Sequence, residues 1–131
     1  MKKIFSLLVV SLVFLALCTV SFSDEEESKY RKDFTVNKST KLEIPKSTSG
    51  EIKFDINGNY IIEIIGDESN IALNDAISVF RGKKETFITP KHISAQYYKF
   101  KVKFKKNRIY KIFYITTTQK ANLTIKIRRI K

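Results

Sequence analysis

The second half of the sequence alternates apolar and cationic residues with a period of two. The clearest stretch is "YYKFKVKFKK" at residues 97–106, in which lysines occupy every second position from 99 to 105. Side chains of a β-strand point alternately to the two faces of its sheet, so this pattern is typical of a strand with one buried and one solvated face. The lysines would form a positive row roughly 20 Å long. The inward side chains are predicted to be Tyr98, Phe100, Val102 and Phe104, and the outward ones Lys99, Lys101, Lys103 and Lys105.

Short β-type segments recur through most of the chain. They are rich in Ile, Phe, Tyr, Val and Thr and are separated by turns of Gly, Asn, Asp, Ser or Pro. About 8–9 short strands at roughly ten-residue spacing predict an all-β fold, a small antiparallel β-sandwich of jelly-roll or immunoglobulin-like type over residues 33–131. A single helical turn is expected at Asn70–Ala76. The predicted strands are Phe34–Val36, Leu42–Ile44, Ile52–Ile56, Tyr60–Ile65, Ala76–Phe80, Thr86–Thr89, Tyr97–Phe104, Ile109–Thr116 and Leu123–Ile130.

The segment Asn57-Gly58-Asn59 predicts a hairpin between two of these strands. A three-residue loop keeps like side chains together, with Phe54 opposite Ile62 on the inner face. On the outer face it would set Lys53 opposite Glu63 as a pair of opposite charge. Asn59 would then take the left-handed conformation, which Asn tolerates.

The first residues have the layout of a secretory signal peptide. Lys2 and Lys3 precede an apolar run, and the small residues Ser21 and Ser23 stand before an acidic stretch, so cleavage is predicted after Ser23. Residues 24–32 would form a flexible acidic leader. The alternative is that Cys18, in a segment similar to a lipobox, is lipidated and holds the protein on a membrane. Both alternatives predict a secreted, periplasmic or cell-envelope protein of bacterial type.

Charge is distributed unevenly along the chain, whose formal net charge is +12. Residues 24–85 hold all 13 acidic residues and 10 basic ones, whereas residues 86–131 hold 13 basic residues and no acidic one. A surface of one sign attracts polyanions. The candidate anion-binding residues are Lys99, Lys101, Lys103, Lys105, Lys126, Arg128 and Arg129.

Several partners fit such a basic half. An anionic polysaccharide, a membrane surface with anionic headgroups, or an acidic envelope protein would each be attracted to it. Nucleic acid fits less well, because the alternation buries the aromatic rings on which bases would stack. Two other interpretations remain open. The lysines could serve only to prevent edge-to-edge pairing of strands, or the protein could be an envelope assembly component that self-associates through sheet edges or opposite charges.

Catalytic and cofactor motifs are not found in the sequence. His92 is the one histidine and Cys18 the one cysteine, so catalytic triads and zinc sites lack their parts. We therefore predict no catalytic residue, no cofactor and no enzyme activity. Oxygen-bearing side chains do concentrate in one short segment, which makes a calcium loop an alternative to ordinary turn chemistry. The residues of this calcium loop are Asp67, Glu68, Asn70, Asn74 and Asp75.

The order of the strand sequences resembles a known family. It is carried by Tyr60–Ile64, by Ala76–Phe80 ended by Arg81-Gly82, by Asn107–Ile112 and by Leu123–Ile127. Together these segments resemble the bacterial pre-peptidase C-terminal domain, over about residues 33–130. The resemblance implies a small secreted β-sandwich with a non-catalytic accessory role or a role in binding carbohydrate or protein.

Overall fold

The structure is a computed structural model that describes residues 30–66, 68–94 and 97–131. Every strand described below belongs to the unit Lys32–Lys131. The predicted signal peptide, its cleavage site, Cys18 and most of the acidic leader lie outside the described residues, and remain predictions. Within the described ranges, no helix is long and apolar enough to cross a membrane.

The unit Lys32–Lys131 is an antiparallel β-sandwich, which confirms the predicted fold class. A 3₁₀ turn at Glu68–Asn70 interrupts the strand succession. The strands are β1 (Phe34–Val36), β2 (Thr40–Ile44), β3 (Ser49–Phe54), β4 (Gly58–Gly66), β5 (Ile71–Leu73), β6 (Ile77–Arg81), β7 (Lys84–Ile88), β8 (Lys91–Ser94), β9 (Tyr97–Phe104), β10 (Ile109–Thr116) and β11 (Ala121–Arg129).

These strands form two sheets. The first has the order β1-β3-β10-β6-β7, with β5 also paired to β10, and the second has the order β2-β11-β4-β9-β8. All pairs are antiparallel except β1 with β3. Strands that are neighbours in the sequence therefore often lie in different sheets.

The core lies between the two sheets and is filled by the inward side chains of the alternating strands. Phe104 of β9 is its aromatic centre: its ring centroid is 4.7 Å from that of Tyr110 and 5.8 Å from that of Phe54, both in the first sheet. The Phe54 ring also meets the Phe100 ring edge-on at 6.2 Å. These contacts join the sheets face to face at the spacing that aromatic pairs prefer.

The predicted hairpin at Asn57–Asn59 is wrong, although its inner-face residues are correct. Ile52, Phe54, Ile62 and Ile64 are all buried. However, β3 pairs with β10 in the first sheet and β4 pairs with β9 and β11 in the second, so the chain crosses from one sheet to the other at this turn.

This crossing changes the partners of the charged residues. Lys53 lies opposite Lys111, and Glu63 lies opposite Lys99 and Lys126. The predicted left-handed residue is also displaced by one position, because Gly58 has the positive φ, at 112°. The alternation of side chains determines which face of the sheet a residue occupies. The neighbouring strand is determined by packing contacts with segments that lie far away in the sequence.

The expected helical turn at Asn70–Ala76 is wrong as well. The segment Ile71–Leu73 is β5, which pairs with the C-terminal end of β10 and places Leu73 opposite Tyr114. Its backbone hydrogen bonds are supplied by a strand that lies about forty residues later in the chain. Partners at that distance override a weak local preference for helix.

Candidate anion-binding face

The outer surface of the second sheet carries a cluster of cations. These residues alternate with buried neighbours on the strands, and the strands lie side by side in the order β11-β4-β9-β8. We call this surface the cationic face. Its cations are Lys91 of β8, Lys99, Lys101 and Lys103 of β9, and Lys126 and Arg128 of β11.

The predicted orientation of β9 is confirmed. Tyr98, Phe100, Val102 and Phe104 are buried in the core. Lys101, Lys103 and Lys105 are exposed, and the Lys99 side chain keeps 43% of its accessible surface. The row of lysines therefore reaches solvent, and its aromatic neighbours fill the core.

Cross-strand register divides the cationic face into two parts. One row runs across four strands as Lys91, Lys99, Glu63 and Lys126, so a carboxylate lies among three cations. In the next row Ile61 is flanked by Lys101 and Arg128, with no carboxylate in between. Side chains directly opposite on neighbouring strands interact most strongly. The charge of Glu63 therefore compensates the row that contains Lys99 and Lys126 more than the row that contains Lys101 and Arg128.

Glu63 is held by its neighbours in the ionised state. The Tyr97 hydroxyl donates a 2.6 Å hydrogen bond to Oε1 of Glu63, and Lys99 Nζ lies 3.6 Å from the same oxygen. The hydrogen bond from Tyr97 is the largest influence and lowers the pKa of Glu63 below its ordinary 4.5; burial opposes this shift, and the charges of Lys99 and Lys126 lower the pKa further. The same bond to Glu63 raises the pKa of Tyr97 above 10.0.

Folding brings the basic half of the sequence back onto the acidic half. Three ion pairs among the described residues each join a lysine from residues 86–131 to a glutamate from the earlier half. They are Lys99 with Glu63, Lys111 with Glu51 at 2.8 Å, and Lys120 with Glu43 at 3.4 Å. Charge asymmetry along the sequence therefore overstates the asymmetry in space. The described carboxylates form no ion pair with Lys101, Lys103 or Arg128.

Two of the candidate residues lie away from the centre of this face. Arg129 pairs with Tyr60, so it has the parity of the inward residues at the end of β11. Lys105 follows the end of β9 in a turn where its backbone N–H donates to the Tyr110 hydroxyl at 3.0 Å. There it lines a cavity of about 260 Å³ together with Arg81, Lys106, Asn107 and Arg108. The structure thus unites Lys99, Lys101, Lys103, Lys126 and Arg128, and separates Lys105 and Arg129 from them.

A groove of about 720 Å³ opens at the edge of the cationic face. It lies where β8 begins, because β8 covers β9 only from Tyr97 to Lys99. The residues that line it are Ile61, Ile88, Thr89, Lys91, Lys99, Phe100 and Lys101. Sequence reasoning missed Lys91 because β8 is only four residues long and carries no periodic signal. It missed Ile61 and Ile88 because they come from β4 and β7, which belong to different sheets.

The calcium loop and the histidine are only partly described. Asp67 and the side chains of Glu68 and His92 lie outside the description. The backbone oxygen of Asn70 accepts a 3.0 Å hydrogen bond from the Thr117 N–H, which is a turn contact. In the parts of the chain that the structure describes, no group of three or more His, Cys, Asp or Glu side chains could hold a metal ion. The calcium site therefore remains an untested prediction.

The protein is a small β-sandwich that carries the cationic face on the outer surface of its second sheet. No protein-family model matches the sequence, and no curated protein matches it at a significant level. Among solved structures, the chain is similar to the pre-peptidase C-terminal domain of a collagenase from Bacillus anthracis, the family that the strand order resembles. That match has 8% identity and a TM-score of 0.49 over 75% of this chain and 94% of the other.

Two further matches are periplasmic inhibitors of g-type lysozyme. The inhibitor from Aeromonas hydrophila has 12% identity and a TM-score of 0.44, and covers 75% of this chain and 99% of its own. A mutant of the inhibitor from Escherichia coli has 13% identity and a TM-score of 0.43, over 75% of this chain and 98% of its own. At this level of identity the likeness concerns the fold alone.

Proposed function

We propose that the protein is a secreted or cell-envelope, non-catalytic binding module that contacts an anionic partner through its cationic face. The observation that carries this proposal is the cluster of Lys101, Lys103 and Arg128, which share one sheet face and form no ion pair with a described carboxylate. Such a cluster attracts a polyanion without first having to displace an internal partner.

The state of Glu63 also favours binding over acid–base chemistry on this face. Its carboxylate accepts the Tyr97 hydroxyl, lies beside Lys99, and has a lowered pKa. A carboxyl group that acts as a proton donor near neutral pH needs the opposite shift. Glu63 instead forms an ion pair with Lys99.

An acidic polysaccharide tests the proposal directly. We expect polygalacturonate to bind the purified protein, and its affinity to fall steeply with salt as the Debye length shrinks from about 10 Å at 0.1 M to about 3 Å at 1 M. The triple substitution Lys101→Gln, Lys103→Gln and Arg128→Gln should weaken binding by about tenfold, at roughly 0.5 kcal/mol for each lost exposed charge contact.

The matched control removes the same charge elsewhere. Lys38→Gln, Lys46→Gln and Lys83→Gln change three exposed lysines that lie outside the strands. This control should retain most of the affinity. Equal loss in both triple variants would show an effect of net charge and refute a site on the cationic face. Unchanged binding in the triple variant of Lys101, Lys103 and Arg128 would mean that these cations serve only to prevent edge-to-edge pairing of strands.

A second candidate function is assembly through the opposite face. The outer surface of the first sheet exposes Phe87 at 63%, Ile115 at 52%, Ile109 at 42% and Phe113 at 38%. Apolar side chains grouped in this way often mark protein contacts. Self-association that persists in 1 M salt and is lost in Ile115→Thr would favour this function, whereas a monomer by sedimentation at all concentrations would exclude it.

A further inference from the structure

The groove at the edge of the cationic face has two kinds of wall. Ile61 of β4 and Ile88 at the end of β7 provide partly exposed apolar surface, and Phe100 lies against the core beneath. Lys91, Lys99 and Lys101 stand around them. Both kinds of wall occur within a single cavity of about 720 Å³, which is in the size range of sites for small organic ligands.

Backbone geometry explains why the groove is open. Pro90 precedes β8, and a proline has no N–H with which to extend the pairing along β9. Pairing with β9 therefore begins only at Lys91, which lies opposite Lys99. Thr89, two residues earlier, directly follows β7 of the other sheet. On the side of β9 that faces away from β4, no strand among the described residues pairs with Lys101.

The three lysines around the groove are not equivalent. Lys99 is 3.6 Å from Glu63 and already has a counter-charge. Lys91 and Lys101 form no ion pair with a described carboxylate, and Lys101 faces the apolar side chain of Ile61 across the strands. An anionic group would therefore be held best by Lys91 and Lys101, beside an apolar surface.

We propose that this groove binds a single-chain amphiphile with an anionic headgroup, such as a long-chain carboxylate. The headgroup contacts Lys91 and Lys101, and the aliphatic chain covers Ile61 and Ile88. This inference rests on the proposed function, since it names the ligand class of part of the same face. It adds that affinity depends on the length of an apolar chain as well as on charge.

Chain length is the variable that separates this ligand from a plain anion. We expect decanoate, below its aggregation concentration, to bind the full chain more tightly than hexanoate in isothermal titration calorimetry. Each methylene group that enters the groove should strengthen binding about fourfold. Decyltrimethylammonium has the same chain with the opposite charge and should bind far more weakly, because the lysines repel it.

Two variants test the two walls. Ile61→Thr keeps the β-branch on an outward position of β4 and should reduce the ratio of decanoate to hexanoate affinity several-fold. Ile115→Thr makes the same change on the outer face of the other sheet and should leave that ratio unchanged. The double variant Lys91→Gln and Lys101→Gln should weaken the binding of hexanoate and of decanoate by a similar factor. The ratio of the two affinities should therefore be preserved.

The outcomes distinguish this inference from the proposed function. If polygalacturonate binds in a salt-dependent way while hexanoate and decanoate bind equally, the cationic face stands and the amphiphile site is refuted. If decyltrimethylammonium binds as tightly as decanoate, the lysines have no part and the inference fails. If decanoate shows the expected chain-length dependence and polygalacturonate does not bind, the site stands and the polyanion function fails.

Discussion

The Tyr97 hydroxyl donates a 2.6 Å hydrogen bond to Oε1 of Glu63, across the boundary between β9 and β4. The bond favours an ionised acceptor and a neutral donor, so it lowers the pKa of Glu63 and raises the pKa of Tyr97. It also fixes the position of the carboxylate among Lys99 and Lys126. One hydroxyl group therefore helps to set the charge pattern of the cationic face.

The substitution Tyr97→Phe should raise the pKa of Glu63 toward its ordinary value of 4.5, because it removes the largest cause of the shift. The carboxyl ¹³C signal of Glu63, followed by NMR from acid to neutral pH, measures this directly. An unchanged pKa in the variant would mean that the neighbouring lysines alone hold the carboxylate.

Stability should depend on pH through the same pair. Because the pKa of Glu63 is lowered on folding from 4.5, its contribution is present above that value and is lost as the pH falls through the folded pKa. Because the pKa of Tyr97 is raised from 10.0, its contribution is present below that value and is lost as the pH rises through the folded pKa. Urea unfolding across this range should show a smaller loss at both ends in Glu63→Gln than in the wild type.

Removing the Glu63 charge should strengthen the binding of polyanions. The variant Glu63→Gln leaves Lys99 and Lys126 without the carboxylate that now lies between them. We expect a gain of roughly 1.5- to 5-fold in affinity for polygalacturonate, which corresponds to about 0.2–1 kcal/mol for one exposed charge. Glu43→Gln, which changes a carboxylate paired with Lys120, is the control for net charge. A gain of the same size in both variants would argue against a local effect.

Phe54 should be essential for the contact between the two sheets. It is 3% exposed and its ring meets Phe100 and Phe104 of the opposite sheet. Phe54→Ala should lower the free energy of unfolding by about 3–5 kcal/mol, because it leaves a cavity in the core. Phe87→Ala, at an exposed position, should cost about 0.5 kcal/mol or less. Denaturant unfolding of the two variants tests this, and similar losses would contradict the assignment of faces.

Coupling energies should distinguish the observed strand pairing from the hairpin that the sequence favours. A double-mutant cycle between Glu63 and Lys99 should give about 0.2–1 kcal/mol, because the two residues lie opposite each other and are partly exposed. The same cycle between Glu63 and Lys53 should give a value near zero, because these residues belong to different sheets. A larger coupling with Lys53 would contradict the topology.

Local patterns predicted the faces of the strands well and their neighbours poorly. The orientation of β9 follows from the alternation of its side chains, which is a property of the strand itself. The neighbours of β4 are β9 and β11, which lie far along the chain and are selected by the packing of the whole core. The turn at Asn57–Asn59 therefore has the sequence of a hairpin but connects strands of two different sheets.

The same limit applies to the site. The lysines of β9 could be proposed from sequence, but the position of Glu63 among them depends on β4 lying beside β9. Lys91 could not be found, because β8 has four residues and its place is set by pairing with β9. The groove needs Ile61 and Ile88 from two further strands of different sheets, so no single segment indicates it.

The two strands that come last in the chain, β10 and β11, lie in the interior of their sheets. β11 separates β2 from β4, and β10 joins β3 to β6. Until β10 and β11 have docked, β2, β3 and β4 therefore each keep an unpaired backbone edge. Contacts of such long sequence separation make folding slow, on the order of milliseconds to seconds. A partly folded chain in which β10 and β11 have not yet docked would present open strand edges to other chains, so aggregation should be greatest at that stage of folding.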